Sequence, residues 1–350
     1  MIWVNAFMKE RVVVIIPVLN PSKVLVRLIE ELIEHEFTKM IIVNDGSSKV
    51  YNDIFDKLKQ FEQVDVLTHV VNQGKGRALK TAFNYVLQYY SDYSGVVTVD
   101  ADGQHKIQDV LKCIDELDNN AVFGCRQFQN VKDMPFRSRF GNTCTRFVLK
   151  YLCDVHVADS QTGLRVFPVS MLPFLISIQG ERYEYETNAL LEMSAQDMVI
   201  SEVDIEAIYE NNNESSHFNP IVDSLKIYSC IMKYSRASIA SVVGDNLFFI
   251  IVALNSNNIW LMTFIGRLVA ILLRHIIDKD MRYNKKEKLC QKKLRYIGWM
   301  LISGCIVASG ILLLKSLLDG NAFIWKIIIE IILIFIISMF KDFKKKEKRG

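Results

Sequence analysis

Short runs of β-branched apolar residues alternate with longer amphipathic stretches through the first third of the chain. The apolar runs predict strands at Val12–Ile16, Met40–Val43, Val64–Thr68, Val96–Val99 and Ala121–Gly124. Helical periodicity lies between them, at Lys23–Glu34, Tyr51–Phe61, Gly76–Tyr89 and Ile107–Leu117. This alternation predicts an α/β domain with a mostly parallel sheet and helices on both faces. Ligands bind at the carboxyl ends of such strands, so the residues that follow each strand are the candidates for function.

Apolar residues near the end of the chain form four long spans, at 237–254, 258–277, 296–318 and 323–340. Each is close to the ~20 residues that a helix needs to cross a bilayer, which predicts an all-α, four-helix transmembrane domain. Lys and Arg are concentrated in the link between the second and third spans and in the tail 341–350. The positive-inside rule puts both segments in the cytosol, with both chain ends. A soluble four-helix bundle is disfavoured because the spans are apolar on all faces.

Charged residues inside the spans are expensive in a bilayer and therefore informative. Asp245 and Arg267 lie about equally far from the short link between the first two spans. Antiparallel helices would place them at the same depth, and we expect them to pair. Lys315, Lys326 and Glu330 are expected nearer the outer surface, in structural roles.

The segment 220–236 connects the two domains and has apolar residues at helical spacing beside Lys and Arg. It predicts an amphipathic helix that rests on the cytosolic leaflet. The predicted organisation is thus a cytosolic domain at 1–219, the interfacial helix, a transmembrane domain at 237–340 and a basic tail at 341–350.

Charge is divided unevenly between the two halves, although the net charge is only +3. From Arg236 onward there are 19 Lys/Arg and 8 Asp/Glu, a net +11, whereas the preceding residues hold 23 and 31, a net −8. Basic residues that alternate with apolar spans indicate a membrane anchor and argue against a nucleic-acid partner. Seven scattered cysteines without a C-x-x-C pair, and the absence of a signal peptide pattern, predict reduced thiols and a cytosolic first domain.

The most specific motif is the acidic triplet Asp100-Ala101-Asp102, which directly follows a buried strand and precedes Gln104. Mg²⁺ and Mn²⁺ prefer oxygen ligands and commonly bind one or two carboxylates together with substrate phosphates. The intervening Ala101 would point away, so both carboxylates would face one ligand. An Asp-rich turn is the alternative for this motif alone.

Polar turns follow the other strands as well. Pro17–Asn20 follows the first strand, and Asp45 and Gly46 follow the second. Lys75 lies between two glycines at the start of a helix, where backbone N–H groups and a positive potential favour an anion. Neither a P-loop nor a dinucleotide-binding fingerprint is present. Together these turns predict a site for a nucleotide diphosphate.

These motifs resemble those of the family 2 glycosyltransferases of GT-A fold, and most closely those of the dolichyl- and polyprenyl-phosphate sugar transferases. The resemblance spans about 12–223, and the motifs that carry it are Ile15–Asn20, Val43–Ser48, Asn72–Gly76, Asp100–Gln104, Asp159–Arg165 and Glu181–Glu186. The four spans resemble, more loosely, the GtrA-like membrane domain. One departure is Pro21, which replaces a Glu that commonly helps to fix the nucleotide.

The resemblance implies a role for each candidate residue. The nucleotide-sugar donor would be bound by Pro17, Asn20, Asp45, Gly46, Lys75, Asp100, Ala101, Asp102 and His217. Asp100, Asp102 and Gln104 would hold the divalent cation. Arg126, with Arg137 or Arg139, would bind the acceptor phosphate, and Asp159 would border the sugar and the acceptor.

The expected reaction is inverting transfer of a sugar from a UDP- or GDP-sugar to a membrane polyprenyl phosphate. A lipid phosphate is already anionic and needs no general base. Transfer to a lipid or glycan hydroxyl remains open and would need a base, for which Asp159 is the first candidate. A translocator or scaffold of lipid-linked sugars is a third interpretation. The protein would be an integral multi-pass membrane protein, of the plasma membrane if bacterial, and a homo-oligomer is left open.

Overall fold

The computed structural model describes residues 11–126, 145, 149, 150, 153, 155, 157–206, 222–281, 286–318 and 320–347. Two compact units divide the chain at Tyr234 and Ser235. The first unit holds the α/β domain and the second holds the long apolar helices.

The α/β unit follows the alternation that the sequence predicts. Its strands are β1 (Val12–Val18), β2 (Met40–Asn44), β3 (Val64–Thr68), β4 (Gly95–Thr98), β5 (Ala121–Arg126), β6 (Arg165–Pro168) and β7 (Ile200–Ile205). Its helices are α1 (Val24–Glu34), α2 (Asn52–Leu58), α3 (Lys75–Tyr89), α4 (Ile107–Asp115), α5 (Leu172–Ser177) and α6 (Glu184–Ala195). The five predicted strands and four predicted helices are all present. The elements from β6 to β7 were not predicted.

The strands form one sheet in the order β3-β2-β1-β4-β6-β5-β7. Every pairing is parallel except those of β6, which runs antiparallel to β4 and β5. The carboxyl ends of the six parallel strands and the amino end of β6 therefore meet at one edge. The mostly parallel sheet is confirmed, and the reversal of β6 brings the loop before it to the functional edge.

Helices cover both faces of this sheet because successive side chains of its strands point to opposite sides. Val13 and Ile15 of β1 pack with α3, α5 and α6, whereas Val12, Val14 and Ile16 pack with α1, α2 and α4. All five side chains are fully buried. The buried strand β1 thus anchors the turn that follows it at the edge of the sheet.

The second unit follows a long helix that begins in the first. This helix, α7 (Val222–Ala253), is succeeded by α8 (Ile259–Met281), α9 (Lys286–Leu317) and α10 (Ala322–Glu347). Among the described residues, three segments are long and apolar enough to cross a membrane: Lys226–Ala253, Ile259–Ile277 and Tyr296–Leu317. These helices indicate a membrane protein. The crossing of α10, the number of spans and their direction stay predictions.

The predicted interfacial segment 220–236 is not a separate helix from residue 222 onward. It is the first part of α7, and Ile227 and Ile231 are buried in the α/β core beside Leu190. Protein thus covers part of the apolar face of this segment, whereas Tyr228 and Met232 are exposed. Its contact with a lipid surface stays a prediction.

A network of buried charges joins three helices of the second unit. Arg267 Nη1 and Lys326 Nζ each lie 2.8 Å from Asp245 Oδ2, and Glu330 accepts from Arg267 at 2.8 Å and from Lys326 at 3.0 Å. The pairing of Asp245 with Arg267 is confirmed. Lys326 is fully buried within this network, which agrees with a structural role, and the depth of Lys326 and Glu330 in a bilayer stays a prediction. Gly266 permits the close approach, because a Cβ there would lie 2.6 Å from Asp245 Oδ1.

Candidate active site

The acidic triplet lies just beyond β4, at the edge where the strand ends meet. The ammonium of Lys75, at the first residue of α3, lies 2.8 Å from Asp100 Oδ1. It also lies 3.1 Å from Glu186 Oε1 on α6, a contact that the sequence did not predict. All three side chains are largely shielded from solvent, Asp100 being the most exposed at 31%. One cation is thus shared between two carboxylates from different parts of the chain.

The loop before β6 packs directly against Asp100. The Thr98 hydroxyl donates to the carbonyl of Gly163 at 2.8 Å, which draws this loop onto the end of β4. A Cβ at Gly163 would lie 2.0 Å from Asp100 Oδ2. Only glycine fits this position without displacing the carboxylate.

The pKa values of the two carboxylates of the triplet are shifted in opposite directions. Burial opposes ionisation of Asp100, but the Lys75 ammonium and His105 outweigh it and lower the pKa of Asp100 below its ordinary value. Burial and the neighbouring charge of Asp100 raise the pKa of Asp102. Asp102 accepts a hydrogen bond from the backbone N–H of Gln104 at 3.1 Å. Because a like charge and burial both penalise its ionised form, this carboxylate would gain from a nearby cation.

A divalent cation suits this donor set. Mg²⁺ and Mn²⁺ usually take one or two protein carboxylates and complete their shell with substrate oxygens and water. The described residues contain no group of three or more His, Cys, Asp or Glu side chains arranged as a complete metal site. The two neighbouring carboxylates at the end of β4 therefore suit a cation whose remaining ligands come from a substrate phosphate and water. Ala101 between them packs against the core, as the sequence predicted.

Asp45, at the end of β2, holds the loop that leads into α3. Its carboxylate accepts from the backbone N–H groups of Gln73 at 2.9 Å and Gly74 at 2.7 Å, and lies 2.7 Å from His69 Nδ1. The other ring nitrogen of His69 lies 3.0 Å from the Thr81 hydroxyl. Asp45 thus holds in place the loop residues that directly precede Lys75. Its predicted contact with a nucleoside stays a prediction.

The turns after β1 and β2 are bonded to each other. Asn20, with a positive φ of 50°, donates its backbone N–H to the Ser47 hydroxyl at 2.8 Å and accepts from the Ser48 N–H at 3.0 Å. Gly46 has a φ of 72°, and a Cβ there would lie 2.4 Å from the backbone of Val71 and Asn72. These turns therefore form one surface with the β3–α3 loop. Pro17 lies within β1, opposite Val43, and fixes the direction of the turn.

Arg126 and Asp159 form an ion pair at the end of β5. Arg126 Nε lies 2.6 Å from Asp159 Oδ2, and its Nη2 lies 3.2 Å from Oδ1. Asp159 has no exposed surface and also accepts from the Gln161 N–H at 3.0 Å. A general base must reach the hydroxyl it deprotonates, so a fully buried and paired carboxylate is poorly placed for that task. Arg137, Arg139 and His217, which the resemblance implies for the acceptor and the diphosphate, lie outside the described residues.

Several residues of this edge were not singled out by sequence reasoning. Glu186 and Arg165 lie in motifs that carried the resemblance, but their contacts depend on α6 and β6, which were not predicted. His69 and Thr98 were not considered, because a lone His and a Thr inside a strand carry no distinctive pattern. The usable signal for His69, Thr98 and Arg165 was position, since each of them is close to a strand end, whereas Glu186 lies within α6.

The chain is also similar in sequence to known proteins. Residues 13–172 match the profile described as Glycosyl transferase family 2. The chain is 30% identical over 237 residues, 62% of its length and 94% of the relative's, to the UDP-N-acetylglucosamine–dolichyl-phosphate N-acetylglucosaminyltransferase of Methanococcus voltae. It is 29% identical over 170 residues, 45% of its length and 62% of the relative's, to the polyprenol monophosphomannose synthase of Mycolicibacterium smegmatis.

A solved structure also resembles the chain. The glucosyl-3-phosphoglycerate synthase of Mycobacterium tuberculosis, in complex with Mn²⁺, UDP-glucose and phosphoglyceric acid, aligns with a TM-score of 0.49 at 16% identity. The alignment covers 67% of this chain and 84% of that one.

Proposed function

The chain belongs to glycosyl transferase family 2 and has the GT-A fold, and on this premise we propose that it transfers a sugar, with inversion, from a nucleotide-diphosphate sugar to a membrane polyprenyl phosphate. The observation that carries the proposal is the contact of Lys75, at the start of α3, with Asp100 of the acidic triplet, whose second carboxylate, Asp102, lies close by. This arrangement offers carboxylates for a cation and positive potential for a diphosphate at the same edge of the sheet.

Donor binding is assigned to the turns at this edge. Asp100 and Asp102, with Gln104 beside them, would hold Mg²⁺ or Mn²⁺, which would neutralise the charge that develops on the leaving diphosphate. Lys75 and the N-terminus of α3 bind the diphosphate, and Asp45 orders the loop that presents them. The donor is a UDP- or GDP-sugar, since Pro21 leaves the choice of base open.

The acceptor is a phosphate in this proposal. A phosphate monoester is already anionic near neutral pH, so the chain needs cations to orient it and no base to activate it. The burial of Asp159 and its pairing with Arg126 support this choice over a hydroxyl acceptor. Arg126 borders the acceptor end of the site, and Arg137, Arg139 and His217 are proposed to complete it.

The membrane helices agree with an acceptor that resides in the bilayer. The relatives named above are named for dolichyl phosphate and polyprenol substrates. Three helices of the described residues are long and apolar enough to cross a membrane. We propose four spans, with the catalytic domain and both chain ends on the cytosolic side, because the basic residues cluster in the second link and in the tail.

The test is transfer by the purified full-length protein in detergent–lipid micelles. Radiolabelled nucleotide sugars are supplied with Mn²⁺, with and without polyprenyl phosphate, and label is measured in the lipid fraction. Asp102→Asn should reduce this label by at least about 100-fold, since it removes a cation ligand. Asp65→Asn is the matched control, because Asp65 pairs with Lys39 near the beginning of β3. Label that needs no polyprenyl phosphate, or that survives Asp102→Asn, would contradict the proposal.

A further inference from the structure

The N-terminal ends of α3 and α6 pack unusually closely, because two glycines remove the side chains that would separate them. A Cβ at Gly76 would lie 2.4 Å from Tyr185 Cβ, and one at Gly74 would lie 2.4 Å from the carbonyl oxygen of Glu181. The backbone N–H of Arg77 donates to that carbonyl at 2.9 Å. This packing brings Glu186 on α6 within 3.1 Å of Lys75 on α3.

Glu186 is fixed from a second direction by a buried arginine. Arg165, which is 2% exposed, donates to the backbone carbonyl of Glu186 at 3.0 Å. The same guanidinium donates to the carbonyls of Ser160 at 3.3 Å and Thr162 at 3.0 Å. The loop that presses Gly163 against Asp100 is therefore tied to the helix turn that carries Glu186. A carboxylate on a solvated face would need no such support.

The position of Glu186 affects how the charge of Lys75 is shared. The Lys75 ammonium contacts Asp100 at 2.8 Å and Glu186 at 3.1 Å. An ammonium that paired with Asp100 alone would neutralise the carboxylate that a divalent cation needs. A second carboxylate on the other side of Lys75 divides its charge and gives it a partner when Asp100 turns to the cation.

We propose that Glu186 is a positioning residue that shares Lys75 with Asp100 and so keeps Asp100 available to a divalent cation. The inference rests on the proposed function, because it takes the Asp100–Asp102 pair as the cation site. Glu186 acts through Lys75 and touches neither the cation nor the reacting atoms.

The test is a double-mutant cycle on cation binding, measured without donor or acceptor. Mn²⁺ is titrated into the full-length protein, and free Mn²⁺ is followed by electron paramagnetic resonance. Glu186→Gln should weaken Mn²⁺ binding by about tenfold, because Lys75 then pairs with Asp100 alone. Lys75→Met should tighten Mn²⁺ binding, and the double variant should bind as Lys75→Met does.

Two further variants serve as controls. Glu181→Gln should leave Mn²⁺ binding unchanged, because Glu181 lies at the same helix junction but pairs with Arg77 and Lys80. Glu186→Asp retains the charge with a shorter reach and should weaken binding less than Glu186→Gln. It also keeps the cycle measurable should the Gln variant not fold.

The outcomes separate this inference from the function on which it rests. Equal effects of Glu186→Gln with and without Lys75 would overturn the inference, because Glu186 would then act on the cation directly. If Asp102→Asn leaves Mn²⁺ binding intact, the cation site itself is wrong and both proposals fail. Loss of Mn²⁺ binding in Asp102→Asn, together with a Glu186 effect that requires Lys75, supports both.

Discussion

Two clusters of charged side chains, one in each unit, contrast in their balance of charge. Among the described residues at the sheet edge, the Lys75 ammonium contacts Asp100 and Glu186, Asp102 lies close to Asp100, and His105 lies 3.8 Å from Asp100. The membrane unit places Asp245 and Glu330 against Arg267 and Lys326, two of each sign. Of the residues that the structure describes, the carboxylates outnumber the ammonium groups in the first cluster, whereas the second is neutral.

The balance of charge matches the role that each cluster can take. An acidic excess at a solvent-accessible edge is relieved by a cation, and it therefore suits a binding site. A neutral network in an apolar unit pairs each of its charges with an opposite charge and joins the helices that supply its members. Buried charges of this kind are costly singly and tolerable as pairs. The predictions below test this difference, beginning with the largest expected effect.

Breaking the balanced network should destabilise the membrane unit strongly. Lys326→Met leaves Asp245 and Glu330 with one cation between them, and losing one partner of a buried pair costs about 3–5 kcal/mol. Thermal unfolding followed by tryptophan fluorescence is suited to this test, since Trp260, Trp299 and Trp325 lie in the second unit. Lys315→Met is the control and should change stability little, because Lys315 is exposed. Similar unfolding curves for the two variants would show that the network is not structural.

Displacing one member of the acidic cluster should impair transfer without unfolding the domain. Gly163→Ala places a Cβ 2.0 Å from Asp100 Oδ2 and must move that carboxylate. A displacement of about 1 Å in a catalytic group costs up to about 100-fold in rate. The measurement is kcat/KM for sugar transfer, with Gly298→Ala as the control because a Cβ there meets nothing within 4 Å. Equal activity of the two variants would contradict the role of Gly163.

Acid should weaken cation binding at a higher pH than an ordinary aspartate would suggest. Burial and Asp100 raise the pKa of Asp102, so this carboxylate takes up a proton before typical aspartates do as the pH falls. Mn²⁺ titrations across the acid range should therefore lose affinity above the usual pKa of Asp. Asp65→Asn should show the same profile as the unaltered protein. A loss of affinity only below the ordinary range would contradict the assignment to Asp102.

The smallest effect expected is a gain in stability when the acidic excess is reduced. The raised pKa of Asp102 means that its ionised form destabilises the fold at neutral pH, and that this cost declines as the pH falls below the raised pKa and is gone below the ordinary pKa of Asp. Asp102→Asn should thus raise the Tm of the cation-free protein at pH 7, and the gain should vanish in acid. A gain that is independent of pH would point to packing as its cause.

Much of the first unit follows from local sequence pattern. The strands from Val12 to Arg126 and the helices between them have clear periodicity, and the acidic triplet follows one of them directly. The segment from Asp159 to Ile205 was not predicted as elements. Its antiparallel strand β6 has four residues, and the buried face of α6 is interrupted by Asn188 and Thr187. Elements that are this short, or that have polar residues on their buried face, show no clear hydrophobic periodicity in the sequence.

In the membrane unit, too, the sequence predicted some contacts and missed others. Equal spacing about a short link was sufficient to pair Asp245 with Arg267. The same argument did not predict that Lys326 and Glu330 join this pair, because α10 is not connected to α7 or α8 by a short link. Spacing about a link predicts contacts only between helices that follow each other in the chain. The contacts of Lys326 with both Asp245 and Glu330 are seen only in the folded bundle.

The sequence alone determined the alternating α/β domain, the long apolar helices and the strand-end motifs, because each depends on residues that are close along the chain. The tertiary structure alone decided that Glu186 would share Lys75, that Gly163 would press on Asp100, and that Asp159 would be buried against Arg126. These contacts join segments that lie up to about a hundred residues apart, and no local pattern records such a distance. The reversal of β6 and the glycine-lined junction of α3 with α6 bring them together.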